Sequence, residues 1–280
     1  MATFETSEGV EIRYELRGNG PPVYICQGGP NNICDTLMAD LAPLEDHLTL
    51  VFHDYRGSGA SSPAPPQTYR FEQLADDLDE LRQHLGHNSI AVLAHSMGGF
   101  IALNYSLRHT QHCSRLALVG TTPCATPGPM IRPILRALGP LRTAKALLGS
   151  LRFVFLWSWR HPSPERTQAM YAPMSVTQEP RRELRARVAS AHPELPVDND
   201  NAEHLMKTMN SLDLRQDLHR IERPALVIYG SRDAVMVAGG RFLASGLINV
   251  DVHVLPDIGH EPFIEAPELI FPTIIRFLAA

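Results

Sequence analysis

Apolar residues fall into short unbroken runs in some parts of the chain and into helical spacing in others. Runs of this length predict buried strands, and helical spacing predicts amphipathic helices. The runs predict seven strands, at residues 10–16, 23–26, 48–52, 89–94, 116–119, 224–229 and 250–255. The helical spacing predicts helices over residues 71–85, from near Met97, and over residues 267–278. Strands that alternate with helices indicate a mostly parallel sheet flanked by helices.

This alternation is interrupted once. From Thr121 to about Arg220 the chain has prolines, arginines and helical spacing, but no convincing buried strand. The pattern therefore predicts an α/β core made of residues 1–120 and 221–280, with a helical cap inserted at residues 121–220.

Composition narrows the class of protein. The net charge of −5 over 280 residues argues against a nucleic-acid partner. The beginning of the chain lacks a secretory signal, and the most membrane-like run, at residues 153–157, is too short to span a bilayer. We expect a cytoplasmic protein. Neither the four cysteines nor the 13 histidines show metal-ligand spacing. We therefore expect reduced thiols, no metal and no cofactor.

Ser96 is the first candidate for chemistry. It lies in Ala94-His95-Ser96-Met97-Gly98-Gly99, directly after a predicted buried strand and before a predicted helix. A tight strand-to-helix turn exposes a nucleophile, and it requires small residues two positions before and after it. Gly98 and Ala94 meet that requirement. A serine that only caps a helix is the alternative interpretation.

Two further residues extend the pattern. Asp233 follows the strand predicted at 224–229, and His260 follows the last predicted strand. Both should therefore lie at the same sheet edge as Ser96, in the chain order of nucleophile, acid and histidine. We predict that His260 accepts the proton of Ser96 and that Asp233 orients His260.

Three other side chains compete for these roles. His95 adjoins Ser96 but diverges from it, so we expect it to pack or to border the pocket. His53 ends a predicted strand and could approach the site. Asp257 could replace Asp233, but it lies three residues before His260 and is expected to shape the turn.

These motifs resemble the α/β-hydrolase superfamily, in the branch with a helical cap after the sixth strand. The resemblance covers the chain outside the cap and implies an eight-stranded, mostly parallel sheet. Gln27-Gly28-Gly29-Pro30 resembles the oxyanion turn of proline iminopeptidases, with Gln27 in place of histidine and Asn31 in place of the next glycine. By similarity, the backbone N–H groups of Gly29 and Met97 would form the oxyanion hole.

Another segment, at residues 54–61, resembles a second signature of the superfamily. We interpret it as structural, with glycines for a tight loop and with Asp54 and Arg56 tying that loop to its neighbours.

The cap should determine substrate choice. Residues 132–187 contain eleven basic and three acidic side chains, a net charge of +8 in a chain of −5. An anionic substrate or an acidic carrier protein would suit that charge; solvation of the outer helix faces is the alternative. Gln27, His95, Trp157 and Met174 are the predicted substrate-binding residues. The cap's methionines and tryptophans either line an apolar pocket or pack its helices together.

The resulting functional prediction is hydrolysis of a carboxylic ester, lactone or thioester of a small apolar substrate through an acyl-enzyme. A proline iminopeptidase is the second reading. It would need carboxylates for a substrate ammonium group, which Glu203, Asp198 or Asp200 could supply. A non-hydrolytic enzyme of the same fold and a ligand receptor stay open, because fold alone does not set the reaction.

Overall fold

The computed structural model describes residues 2–29, 33–126 and 199–279. Eight strands form a single sheet: β1 (Ala2–Glu5), β2 (Glu11–Arg17), β3 (Pro22–Cys26), β4 (Thr49–His53), β5 (Ile90–His95), β6 (Cys113–Val119), β7 (Ala225–Gly230) and β8 (Val250–Leu255). Seven α-helices accompany them within these three ranges: α1 (Asp35–Leu41), α2 (Phe71–His84), α3 (Gly98–Arg108), α4 (Asn199–Ser211), α5 (Ala234–Gly246), α6 (Pro262–Glu265) and α7 (Pro267–Leu278). Short 3₁₀ helices lie at Ala42–Leu44, Pro66–Thr68, Thr110–His112 and Leu218–Arg220.

The strand order is β1-β2-β4-β3-β5-β6-β7-β8. β1 and β2 run antiparallel to their neighbours, and every pair from β4 to β8 is parallel. The mostly parallel eight-stranded sheet is therefore confirmed. Parallel strands bring their carboxyl ends to one edge, and that edge is where an open sheet of this kind binds ligands.

Both faces of the sheet are covered, which explains the unbroken apolar runs. All six residues of β5 are buried, and so are all six residues of β7. Alternate residues of β3 enter different apolar clusters: Val23 and Ile25 pack with α1 and α7, whereas Tyr24 and Cys26 pack with α2 and α3. This alternation of side chains gives the sheet one core on each face.

Some of the described elements are absent from the sequence prediction, among them β1 and α5. β1 is four residues long and buries only Phe4, so it has too little alternation to be recognised. α5 is rich in alanine and glycine, and its first residues directly follow Asp233. All four cysteines are free and buried. Among the described residues, no helix combines the length and apolarity needed to cross a bilayer.

The predicted cap is described only at its two ends. α4 is held on the core by Asn201, whose Nδ2 donates to the carbonyl oxygen of Arg56 at 2.5 Å and to Ser58 Oγ at 3.0 Å. An isolated bridge pairs Cys124 with Asp213. The division into a core of residues 1–120 and 221–280 and a cap of residues 121–220 stays a prediction.

Candidate active site

Ser96 occupies the sharp turn between β5 and α3. Its φ is +52°, in the left-handed region, which a non-glycine residue adopts only where the surroundings hold it. Small neighbours make the turn possible. A Cβ on Gly98 would lie 2.0 Å from the carbonyl oxygen of Cys26, and one on Gly28 would lie 2.7 Å from Ser96 Cβ. The close contact with β3 therefore explains why the residue two positions after Ser96 must be small.

The turn is fixed by hydrogen bonds to the end of β6. The Ser96 N–H donates to the carbonyl oxygen of Val119 at 3.0 Å. The Thr121 hydroxyl donates to the carbonyl oxygen of Ser96 at 2.6 Å. Ser96 is partly exposed, while the residues on either side of it are buried. The turn thus presents one hydroxyl at the sheet edge.

Asp233 and His260 lie beside this hydroxyl. His260 Nε2 is 3.0 Å from Ser96 Oγ, and His260 Nδ1 is 2.5 Å from Asp233 Oδ2. Both residues are 2% exposed. With the proton on Nδ1 donated to the carboxylate, Nε2 faces the hydroxyl as an acceptor. The structure therefore brings together the three residues that the sequence pattern singled out.

Asp233 has a second function at the start of α5. Its Oδ1 accepts the N–H of Met236 at 3.2 Å, which makes Asp233 the N-cap of that helix. Oδ2 remains for His260. One carboxylate thus serves the helix and the histidine through different oxygens, which limits its rotation.

The loops after β7 and β8 are joined by backbone contacts. Ser231 N–H donates to the carbonyl oxygen of Leu255 at 2.9 Å, and Arg232 N–H donates to that of Ile258 at 2.9 Å. A Cβ on Gly230 would lie 2.2 Å from the Ile258 oxygen, so only glycine fits there. This close approach sets the distance between the acid and the histidine.

The predicted oxyanion hole lies at the end of β3 and the start of α3. Gly29 is buried with φ at +74°, a conformation that favours glycine, and Met97 is 4% exposed. The Tyr55 hydroxyl donates to the carbonyl oxygen of Gln27 at 2.9 Å and so helps to fix this turn. Tyr55 was not predicted from the sequence. The role of the Gly29 and Met97 N–H groups stays a prediction.

Two of the competing residues, His53 and Asp257, make contacts away from Ser96. His53 is buried against Tyr55, 5.3 Å between ring centres, and burial lowers its pKa to about 4, opposed by the nearby Asp54. Asp257 has φ of +62° and pairs on the surface with Arg232 at 3.0 Å. It shapes the turn, as expected, and it does not contact His260 through any hydrogen bond among the described residues.

The predicted substrate-binding residues divide into two groups. Gln27 and His95 are buried, at 1% and 4% exposure, and His95 Nε2 lies 3.0 Å from the carbonyl oxygen of His260. Trp157 and Met174 lie outside the described residues, as do the eleven basic residues of the segment 132–187. Substrate contact by these four residues stays a prediction. Of the three carboxylates considered for an ammonium group, Glu203 is exposed on α4, and the side chains of Asp198 and Asp200 lie outside the description.

One group of side chains within the described ranges could in principle approach a cation. His95, His260 and Glu261 place one ligand atom each within 4.8 Å of one another. His260 already contacts Ser96 and Asp233, and His95 Nε2 contacts a backbone oxygen. A metal at this position would have to replace those hydrogen bonds, so the group does not form a site separate from Ser96 and His260.

Comparison with known proteins identifies the family. A family model described as the alpha/beta hydrolase fold matches residues 21–267. The chain belongs to this family of hydrolases, in agreement with the resemblance drawn from its motifs.

Individual relatives differ in their named activities. A proline iminopeptidase from Pestalotiopsis fici is 24% identical, with 96% of each chain covered. A non-heme chloroperoxidase from Kitasatospora aureofaciens is 28% identical, covering 93% of this chain and 92% of the relative. A pimeloyl-[acyl-carrier protein] methyl ester esterase from Nitrosomonas europaea is 23% identical, covering 92% and 95%. All three similarities extend over nearly the whole length of both proteins.

Proposed function

We propose that this protein is a serine hydrolase that cleaves a carboxylic ester, with lactones and thioesters as close variants. The observation that carries the proposal is the continuous hydrogen-bonded series from Asp233 through His260 to the partly exposed Ser96 hydroxyl. A helix cap alone would need the serine but would not need a buried histidine and carboxylate aligned behind it.

The first half of the reaction is acylation. Ser96 Oγ attacks the carbonyl carbon, and its proton passes to His260 Nε2. Asp233 stabilises the resulting imidazolium. The N–H groups of Gly29 and Met97 bind the oxyanion of the tetrahedral intermediate, and the start of α3 adds positive potential there. The alcohol leaves with the proton from His260, and the acyl group remains on Ser96.

The second half restores the enzyme. Water gives a proton to His260 Nε2 as its oxygen attacks the acyl carbon. The second tetrahedral intermediate collapses, the Ser96 oxygen takes the proton back from His260, and the carboxylic acid is released. No group beyond those of the protein and water is needed to balance this cycle.

We propose that the acyl portion is apolar and that an acidic carrier protein bears it. The carrier-protein esterase among the relatives and the net charge of +8 over residues 132–187 support that partner. Peptidase activity is the second candidate, because a relative over the full length is named a proline iminopeptidase. Of the three carboxylates considered for the substrate ammonium group, Glu203 on α4 is the one whose side chain is described, and it is exposed.

The test is a panel of p-nitrophenyl esters of increasing acyl length beside proline p-nitroanilide. Wild type and Ser96→Ala are assayed together. Ester turnover that disappears in Ser96→Ala supports the proposal, and the chain-length profile measures the acyl pocket. Cleavage of the anilide without cleavage of any ester would favour the peptidase over the esterase. Equal ester turnover in both proteins would remove Ser96 from the mechanism.

A further inference from the structure

We propose that Glu265 is a positioning residue for His260, acting through the backbone N–H groups of the residues before and after the histidine. The inference rests on the proposed function, since it concerns how the general base is held. Its side chain touches neither Ser96 nor Asp233 in any hydrogen bond among the described residues.

The two carboxylate oxygens of Glu265 accept one backbone N–H group each. Glu265 Oε2 accepts the N–H of Gly259 at 2.9 Å, and Oε1 accepts the N–H of Glu261 at 3.0 Å. His260 is the residue between these two N–H groups. A single carboxylate therefore fixes the backbone on both sides of the histidine.

A third contact acts on the same stretch of backbone. The His260 carbonyl oxygen lies 3.0 Å from His95 Nε2, on the residue that precedes Ser96. His95 is buried, with its ring 5.1 Å from that of His260 and 5.5 Å from that of Phe263. The backbone around His260 is thus held both by Glu265 and by the residue next to the nucleophile.

The local fold explains why a side chain is needed here. β8 ends at Leu255, and α6, which starts at Pro262, is only four residues long. Neither element supplies backbone acceptors to Gly259 or Glu261. Without the carboxylate, the segment that carries His260 would depend on its side-chain contacts for its position.

The required accuracy sets the expected effect. His260 Nε2 must stay at 3.0 Å from Ser96 Oγ while Nδ1 stays at 2.5 Å from Asp233. A displacement of about 1 Å in such an arrangement costs on the order of 100-fold in rate. Glutamine matches the shape of Glu265 but offers one acceptor oxygen in place of two, and its NH₂ group would face one of the N–H donors.

Charge is a secondary contribution of Glu265. Burial raises the pKa of its carboxyl; the N–H of Gly259 opposes this, and the negative charge of Asp233 adds to it. The positive charge of Arg232 acts on this pKa in the other direction, as does the charge that His260 carries when it is protonated. The neighbouring Glu261 is buried 3.8 Å from His95. Glu265→Gln therefore removes a partly buried charge and is not expected to lower stability. A fall in rate in this variant can then be assigned to the position of His260 rather than to loss of folding.

The experiment measures the rate at which Ser96 reacts with a fluorophosphonate probe, together with kcat and KM for the best ester of the panel. In the probe reaction Ser96 Oγ bonds to phosphorus, fluoride leaves, and His260 takes the serine proton. Wild type, Glu265→Gln and Glu268→Gln are compared. Glu268 is exposed in the first turn of α7, three residues away, so it is the matched control.

We expect Glu265→Gln to lower the labelling rate and kcat by ~10- to 100-fold with KM within about twofold, while Glu268→Gln matches wild type. A Glu265→Gln protein that labels and turns over at the wild-type rate overturns the inference. So does a loss that follows the melting temperature alone. If that variant does not fold, Glu265→Asp, too short to reach both N–H groups, is judged by the same criteria. Failure of the wild type to label at Ser96 contradicts the proposed function instead.

Discussion

The loop after β4 (residues 54–62, here the β4 loop) and the loops after β7 and β8 leave the same edge of the sheet, and both regions bury charged side chains. In the β4 loop, each buried charged side chain is bound by other groups of the protein. Arg56 is fully buried and binds Asp77 through two nitrogens, at 2.8 and 2.5 Å, and Glu8 at 2.9 Å. Asp54 accepts the N–H groups of Cys34 and Ala60.

The loops after β7 and β8 use a different arrangement. Asp233 and His260 also pair in the interior, but the series ends at a hydroxyl that is partly exposed. In the β4 loop, by contrast, the hydrogen bonds of Asp54 and Arg56 confirm the expectation that these residues tie the loop to its neighbours. Burial and charge alone do not distinguish a structural cluster from a reactive one. The distinguishing feature is a nucleophile at the end of the series that substrate can reach.

The largest expected effect is on the reactive side of this comparison. Asp233→Asn should lower kcat by roughly 10³- to 10⁴-fold. The amide oxygen is needed by the Met236 N–H, so the NH₂ group takes the place of Oδ2, donates to His260 Nδ1 and favours the wrong tautomer of His260. Asparagine still caps α5, so folding should persist. Asp257→Asn makes the same chemical change at a surface pair and should leave kcat within about twofold. Similar losses in both variants would contradict the assignment of Asp233.

On the structural side, Arg56→Met should act on stability. Burial raises the pKa of Asp77, and the Arg56 hydrogen bonds oppose that rise, so removal of the guanidinium leaves a buried carboxyl without its partner. We expect the free energy of unfolding to fall by about 3–5 kcal/mol. Urea denaturation measures it, with Arg220→Met on the surface as control. A folded Arg56→Met protein with normal stability but no ester turnover would place Arg56 in the reactive class.

The smallest effect is a pH response within the β4 region. Burial lowers the pKa of His53 to about 4, below its ordinary value of 6.5. Between pH 6.5 and pH 4 the unfolded chain therefore binds a proton at His53 that the folded protein does not, and stability falls as the pH falls through that window. The full loss is roughly 3 kcal/mol below pH 4.

His53→Phe should abolish that component. The stability of His53→Phe relative to wild type is expected to rise from pH 7 to pH 4.5, as measured by urea denaturation at both values. His219→Phe, at an exposed position, should show no such rise. Parallel pH dependence in His53→Phe and wild type would mean that His53 takes up protons in the folded state as well.

Much of this arrangement could be predicted from local patterns, because the reactive residues follow buried strands. The runs at β5, β7 and β8 predict where Ser96, Asp233 and His260 leave the sheet, and glycine at position 98 predicts the turn. The contacts of Glu265 and Tyr55 were not predictable in this way. They join segments that only the folded chain brings together, and neither residue has a distinctive local spacing.

The central claim is that Ser96 is the nucleophile, and the most direct measurement is the site of covalent modification by a fluorophosphonate. Intact-mass analysis followed by peptide mapping should show one adduct, on the peptide that contains Ser96, formed quickly in wild type and absent from Ser96→Ala. Slower formation of the same adduct in Asp233→Asn would connect it to His260 and Asp233. An adduct on a different residue, or equal modification of Ser96→Ala, would contradict the account.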